Sequence, residues 1–163
     1  MLDLRTRESL IASLPKGGVA AEIGVDTGLF SERILVLSEP RVLYLVDCWH
    51  EQPPEVYGHD PANAPDHARE AQYQEVARRF ADRHEVVILR AMSEEAAATF
   101  APCSLDWIHI DANHLRVRQD IEVWWRVVRP GGWITGHDYT VAGDYITVRR
   151  DVDAVVLERG LRL

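Results

Sequence analysis

Apolar positions along the chain recur with two alternating periods. Short β-rich runs occur at Val19–Ile23, Val42–Val46, Val86–Leu89, Trp107–Ile110 and Trp133–Thr135, with a weaker sixth at Leu161–Leu163. The first, second and fourth are nearly continuous in apolar character, as in strands buried on both faces. Between the runs the period lengthens to that of a helix. Phe30, Ile34 and Leu37 share one helical face, as do Tyr73, Val76, Ala77 and Phe80. Val117, Ile121, Trp124, Trp125 and Val128 form another such face, and Val148, Val152, Val155 and Val156 a fourth. A helix from about Leu4 to Leu14 precedes the first strand. Ser93, followed by Glu94 and Glu95, reads as a helix start, with a capping hydroxyl and acids near the positive end of the dipole. Pro130-Gly131-Gly132 reads as a break before the fifth strand.

Strands alternating with helices imply right-handed βαβ units and an α/β, doubly wound, mostly parallel sheet. Ligands bind such sheets at the carboxyl ends of the strands, so the strand-end residues carry the functional information. The segment from Cys48 to about Asp66 breaks the alternation. It is rich in Pro, His and acids, leaves from a strand end and is expected to overhang the ligand crevice as a substrate-side loop.

Composition narrows the partners. The chain has 163 residues, which fits a single domain spanning 1–163, and a formal net charge of -8. That balance makes nucleic acid or an anionic membrane a poor primary partner, since phosphate binding calls for a basic stripe. No run approaches the ~20 apolar residues of a membrane-spanning helix. Cys48 and Cys103 lie far apart, without the spacing of a redox or zinc motif, so a reduced, cytoplasmic setting is expected.

Four strand ends carry candidate chemistry. The first strand runs into Glu22-Ile23-Gly24-Val25-Asp26-Thr27-Gly28, where glycines allow a tight turn and a helix N-terminus favours negative charge. The spacing is G-x-x-x-G and not the G-x-G-x-x-G of dinucleotide folds, and the same glycine pair also serves an ordinary strand-to-helix turn. Asp47 ends the second strand, 47 − 24 = 23 positions after Gly24, where an acid commonly holds ribose hydroxyls; a solvated carboxylate is the plainer reading. The fourth strand ends in Asp111-Ala112-Asn113-His114 and the fifth in His137-Asp138. On adjacent parallel strands Asp111 and Asp138 would face one another, and with His137 they could hold a divalent cation. His114 is placed to act as a general base. His50, His59 and His67 read as surface histidines of the long loop, His109 as a core residue, and Trp124 and Trp125 as helix packing. Trp49 and Tyr57 leave toward the crevice and are substrate candidates.

Taken in order and spacing, EIGVDTG, LVDCW, the Ser93 segment, LDWIHIDANH and RPGGWITGHDY resemble class I S-adenosylmethionine-dependent methyltransferases over about residues 17–159. The resemblance is closest to a small bacterial group with an IDA-x-H strand end and a PGG…GHD strand. It implies a Rossmann-like fold with S-adenosyl-L-methionine as cofactor. Glu22, Gly24 and Gly28 would shape the pocket for the methionine end. Asp47 would hold the ribose, with Cys48 and Trp49 beside the adenosine and Met92 and Ser93 bordering the adenine. Asp111 would sit near the cofactor and ligate a metal where one is bound. Metal-dependent relatives carry two consecutive acids after the fifth strand; here the pair is His137-Asp138, which weakens the case for Mg and leaves Mg or Mn, a softer metal, or no metal open.

The expected reaction is methyl transfer to a small molecule, at a hydroxyl oxygen. A catalytically lapsed S-adenosylmethionine-binding domain and a nucleotide-dependent oxidoreductase are the alternatives. The family's sheet usually ends in a hairpin of a sixth and a seventh strand, for which the residues after Asp138 look too few. A truncated hairpin would leave the fifth strand's edge uncovered, and the expectation is either a homodimer that shields it or a shortened chain that is less stable for it.

Overall fold

A computed structural model of the chain describes residues 6–57, 60, 62–140 and 147–163. Among the described residues twelve elements follow one another as α1 (Arg7–Ser13), β1 (Val19–Ile23), α2 (Leu29–Ser38), β2 (Val42–Asp47), α3 (Pro54–Tyr57), α4 (Asp66–Arg79), β3 (Val86–Arg90), α5 (Ser93–Thr99), β4 (Leu105–Ile110), α6 (Val117–Trp125), β5 (Val128–Gly136) and α7 (Val148–Arg159). The five strands form one parallel sheet in the order β3-β2-β1-β4-β5. The chain returns across the sheet between β3 and β4, so the switch in direction falls between β1 and β4.

Alternation along each strand divides the core into two layers. Ala20, Leu43, Leu45 and Trp107 face Ile11 and Leu14 near α1, Phe30 and Ile34 of α2, and Val76 and Phe80 at the end of α4. Ala21, Ile23, Val46, Ile108 and Ile110 face Ala96 and Ala97 of α5, Ile121 and Trp124 of α6, and Val148 and Val155 of α7. Both faces of the central strands are therefore covered, which explains their continuous apolar runs.

The structure departs from the sequence expectations in several places. Leu161–Leu163 form no strand. Val128 begins β5 and is not the last turn of α6. The Pro130-Gly131-Gly132 break lies inside β5. Leu105 pairs with Val128 and Trp107 with Trp133, so 133 − 128 = 5 steps on β5 oppose 107 − 105 = 2 on β4, and three extra residues bulge from the strand. The long loop contains a helical turn, α3, before α4 starts at Asp66. Helix α5 opens one residue earlier than a Ser93 cap requires. Met92 is the cap, Glu95 accepts from the Met92 N–H, and the Ser93 hydroxyl accepts from the buried Trp124 indole N–H at 2.9 Å. Of the N-terminal helix, the part from Arg7 is observed, capped by Thr6; Leu4 lies outside the described residues. No helix among the described residues is long and apolar enough to cross a membrane.

Candidate functional site

The strand carboxyl ends open into a cleft enclosing about 770 Å³, part of it open to solvent. Ile23 and Gly24 of the β1 end, Asp47 and Cys48 of the β2 end, Met92 and Ser93 after β3, and Asp111 after β4 all line it. Glu22, Gly28, Trp49, His114, His137 and Asp138, also expected at the site, do not line this cleft.

Each of these placements has a local cause. Gly24 sits at φ +89°, and a Cβ there would lie 2.1 Å from the Asp111 carbonyl oxygen. Its missing side chain lets the β1 turn press against the β4 end, where the Asp111 N–H donates to the Ile23 carbonyl at 2.7 Å. Gly28 at φ +76° caps α2, and a Cβ there would meet Phe80 at 2.9 Å. Trp49 is fully buried. Its indole N–H donates to the Asp26 carbonyl at 2.8 Å and its ring packs on Tyr73, so it anchors the loop and presents no face to a substrate. Tyr57, by contrast, does line the cleft.

Asp47 is the hub of the β2 end. Oδ2 accepts from the Val25 and Asp26 N–H groups at 3.0 Å each, while Oδ1 accepts from the Trp49 N–H and from Arg69 Nη2, both at 2.8 Å. These four bonds take up the carboxylate's roughly four lone-pair sites. Arg69, from α4, is itself buried and also reaches Asp26 at 3.3 Å. A ribose hydroxyl bound to Asp47 would have to replace one of these donors, and Arg69 is the only side chain among them.

Beneath the cleft lie two buried ionisable side chains opposite one another on paired strands, Glu22 of β1 and His109 of β4. Burial pushes the Glu22 carboxyl up to about 8, against a hydrogen bond from the Ser31 hydroxyl. Burial pushes the His109 imidazole down to about 4. Both are therefore neutral at pH 7. His109 Nδ1 lies 3.1 Å from the Thr135 hydroxyl and its ring packs on Phe30, which bears out the core reading.

Asp120 also lines the cleft, from α6, and burial raises it to about 6. It sits three residues after Val117, on the apolar face of the helix, and a lone acid at a core-facing position was the signal that could have found it.

At the β4 and β5 ends the sheet gathers a second group. His114 Nε2 lies 3.1 Å from Asp138 Oδ2 and 3.7 Å from Asp111 Oδ1, and Nδ1 lies 2.8 Å from Asp60 Oδ2. His137 Nδ1 lies 3.0 Å from Asp138 Oδ1 and 3.6 Å from Asp111 Oδ1. Arg7 of α1 approaches Asp111 at 3.4 Å. Asp138 holds φ +57°, a left-handed conformation that non-glycine residues adopt at a cost. The Asp111 carboxylate, against the opposing effect of burial, and then Asp60 and Asp138 raise His114 to about 9. Burial opposes ionisation of Asp111, but the His114 and His137 imidazoles outweigh it and hold that carboxyl well below the usual range. Asp111 in turn raises His137.

His114 therefore carries a proton at neutral pH when no cation shares the site. Asp60 and Arg69 were not anticipated from the sequence. Of the loop histidines, His50 is exposed and pairs with Asp66 at 2.7 Å, His67 is exposed, and His59 lies outside the described residues.

The sequence matches a family described as a methyltransferase domain over residues 21–139, and the chain belongs to that family, whose members are S-adenosylmethionine-dependent methyltransferases. No curated protein sequence matches it. Among solved structures it is similar to a Corynebacterium glutamicum protein at 17% identity, covering 92% of this chain and 68% of that one with a TM-score of 0.61. It is similar to the precorrin 8w decarboxylase of Methanobacterium thermoautotrophicum at 14% identity, covering 93% and 67% with a TM-score of 0.62. It is also similar to Aeropyrum pernix fibrillarin, solved with natively bound S-adenosyl-L-methionine, at 14% identity, covering 91% and 59% with a TM-score of 0.59. At these identities the likeness is one of fold.

Proposed function

We propose that the protein transfers the methyl group of S-adenosylmethionine to a hydroxyl oxygen of a small molecule. The observation that carries this reading is the cluster of Asp111, His114 and Asp138 beside the end of the cofactor cleft, a group suited to binding and deprotonating a hydroxyl and unneeded by a binding domain alone. Net charge of -8 favours a small acceptor over RNA, the substrate type that a basic surface would serve.

When bound, S-adenosylmethionine supplies a methyl made electrophilic by its sulfonium and leaves as S-adenosylhomocysteine. In this reading Gly24 and Asp111 would flank the methionine end, Asp47 and Cys48 the ribose, and Met92 and Ser93 the adenine, with Asp120 lining the same cleft. The chain's work is then to align the acceptor and receive its proton. Where a divalent cation is bound, Asp111 and Asp138 would hold it through oxygen, and it would polarise the acceptor oxygen. The donor set fits, because two carboxylates and an imidazole nitrogen without a hydrogen-bond partner lie within one ion's reach. His114 can serve as proton acceptor only after losing the proton its three carboxylate neighbours hold on it.

Two measurements test the reading. S-adenosylhomocysteine should raise the melting temperature and NAD should not; a shift with NAD alone would support an oxidoreductase. Radiolabel from the S-adenosylmethionine methyl should then appear in a hydroxylated small molecule. Cofactor binding with no transfer to any of a broad acceptor panel would support the lapsed domain instead.

A further inference from the structure

We propose that Arg7 of α1 binds the carboxylate at the amino-acid end of the cofactor. The inference rests on the cofactor of the reading above and not on its acceptor. Arg7 lies outside residues 21–139, the stretch shared with the family, so membership assigns it no role.

Three observations carry it. The first is place. Gly24 and Asp111 both line the cleft and meet at one spot, where a Cβ on Gly24 would lie 2.1 Å from the Asp111 carbonyl oxygen. Arg7, the first residue of α1, reaches the same spot, with Nη1 3.4 Å from Asp111 Oδ2.

The second is how the guanidinium is held. Its Cζ lies 4.1 Å from the centroid of the Phe30 ring, and a planar cation stacks well on such a face. Phe30 is itself buried and packs on His109, so the platform is fixed. Stacking sets the plane of the guanidinium without using its N–H groups. Those groups are poorly employed. Among the described residues the ion pairs of Arg7 are the 3.4 Å contact to Asp111 and a 4.0 Å contact to Glu8. Both are longer than the roughly 2.7–2.9 Å of a charge-assisted hydrogen bond. The side chain is 35% exposed, which leaves its donors open to a ligand.

The third is charge. A carboxylate entering the cleft meets Asp26, Asp47 and Asp111 on its walls and needs a cation to offset them. The other basic groups nearby are engaged or lie elsewhere. Arg69 is buried and bonded to Asp47 at 2.8 Å. Arg116 lines the cleft on the side of the β3 end, beside Glu94. His114 and His137 face Asp138 beyond Asp111. Arg7 is left, and its planar fork matches a carboxylate with two parallel N–H bonds. The ligand would replace the long contact to Asp111.

Two analogues and two substitutions test the proposal by calorimetry. 5′-Methylthioadenosine keeps the nucleoside and the sulfur and lacks the amino-acid end. Decarboxylated S-adenosylhomocysteine lacks only the carboxylate. The native protein should bind S-adenosylhomocysteine about 10- to 100-fold more tightly than the decarboxylated analogue. Arg7→Gln should weaken S-adenosylhomocysteine by the same factor and leave the affinity for both analogues unchanged. Arg7→Lys keeps the charge without the fork and should recover part of the loss. Equal affinity of the native protein for S-adenosylhomocysteine and its decarboxylated analogue overturns the proposal, and that comparison needs no variant to fold. So does an Arg7→Gln protein whose S-adenosylhomocysteine affinity is native, or whose loss extends equally to 5′-methylthioadenosine. If the native protein binds none of the three ligands, the cofactor reading falls and this proposal with it, a result distinct from the others.

Discussion

Replacing Glu22 by Gln should change how stability depends on pH. Glu22 is 1% exposed, and burial raises its carboxyl from 4.5 to about 8. The folded state thus keeps the proton that the unfolded chain releases above about pH 4.5. The stabilisation linked to that proton is complete below pH 4.5 and is lost as pH rises through 8. At about 1.36 kcal/mol per pH unit, the loss totals about 5 kcal/mol, of which about 4 kcal/mol falls between pH 5 and 8. The amide introduced by Glu22→Gln would not titrate, and its carbonyl can still accept from the Ser31 hydroxyl. Any unpaired amide hydrogen would offset the whole curve without tilting it. Urea unfolding of both proteins at half-unit steps from pH 5 to 8 is the measurement. The native protein should lose stability relative to Glu22→Gln as pH rises, by several kcal/mol across the range. Parallel curves would mean that Glu22 is ionised in the folded state, and the account of the buried pair beneath the cleft would be wrong.

Trp124→Phe should cost about 1–2 kcal/mol more than Trp107→Phe in the same assay, because the Trp124 N–H is hydrogen-bonded to Ser93 whereas the Trp107 N–H is buried without a partner. Gly24→Ala should destabilise by about 3 kcal/mol or more, since the new Cβ would strike the Asp111 carbonyl at a backbone angle unsuited to alanine; a thermal melt unchanged within a degree would refute this. Asp47→Ala should cost about 3–5 kcal/mol, because the buried Arg69 guanidinium loses its closer carboxylate and the Val25, Asp26 and Trp49 N–H groups lose their acceptor, and should abolish S-adenosylhomocysteine binding measured by calorimetry.

The central strands β1, β2 and β4 were legible because burial on both faces writes an apolar run that no neighbouring pattern imitates. The fifth strand was read short for a physical reason: Pro130-Gly131-Gly132 is indeed incompatible with ladder pairing, but a bulge lets the strand resume around it. The candidate cofactor residues Gly24, Asp47, Met92 and Ser93 could be found because a parallel sheet collects its strand ends on one side. Asp60 and Arg69 could not. Asp60 meets His114 across 54 positions, and Arg69 meets Asp47 across 22, from a loop and a helix whose placement follows from no period in the sequence. Trp49 misled because a residue two steps beyond a strand end can turn inward as readily as outward, and here its indole N–H found the Asp26 carbonyl.

The bulge in β5 has a consequence for assembly. Among the described residues β5 is an outer strand, nine residues long, with the exposed Trp133 near its middle. An open edge of that length is a template for another chain. Pro130 carries no N–H, and the three displaced residues interrupt the row of backbone donors and acceptors, so the first half of the strand is guarded against strand addition. Only Trp133–Gly136 keeps a regular edge. If two copies associate through their sheets, they have four residues apiece for main-chain pairing, which limits the contact to a short, reversible seam unless side chains such as Trp133 enlarge it.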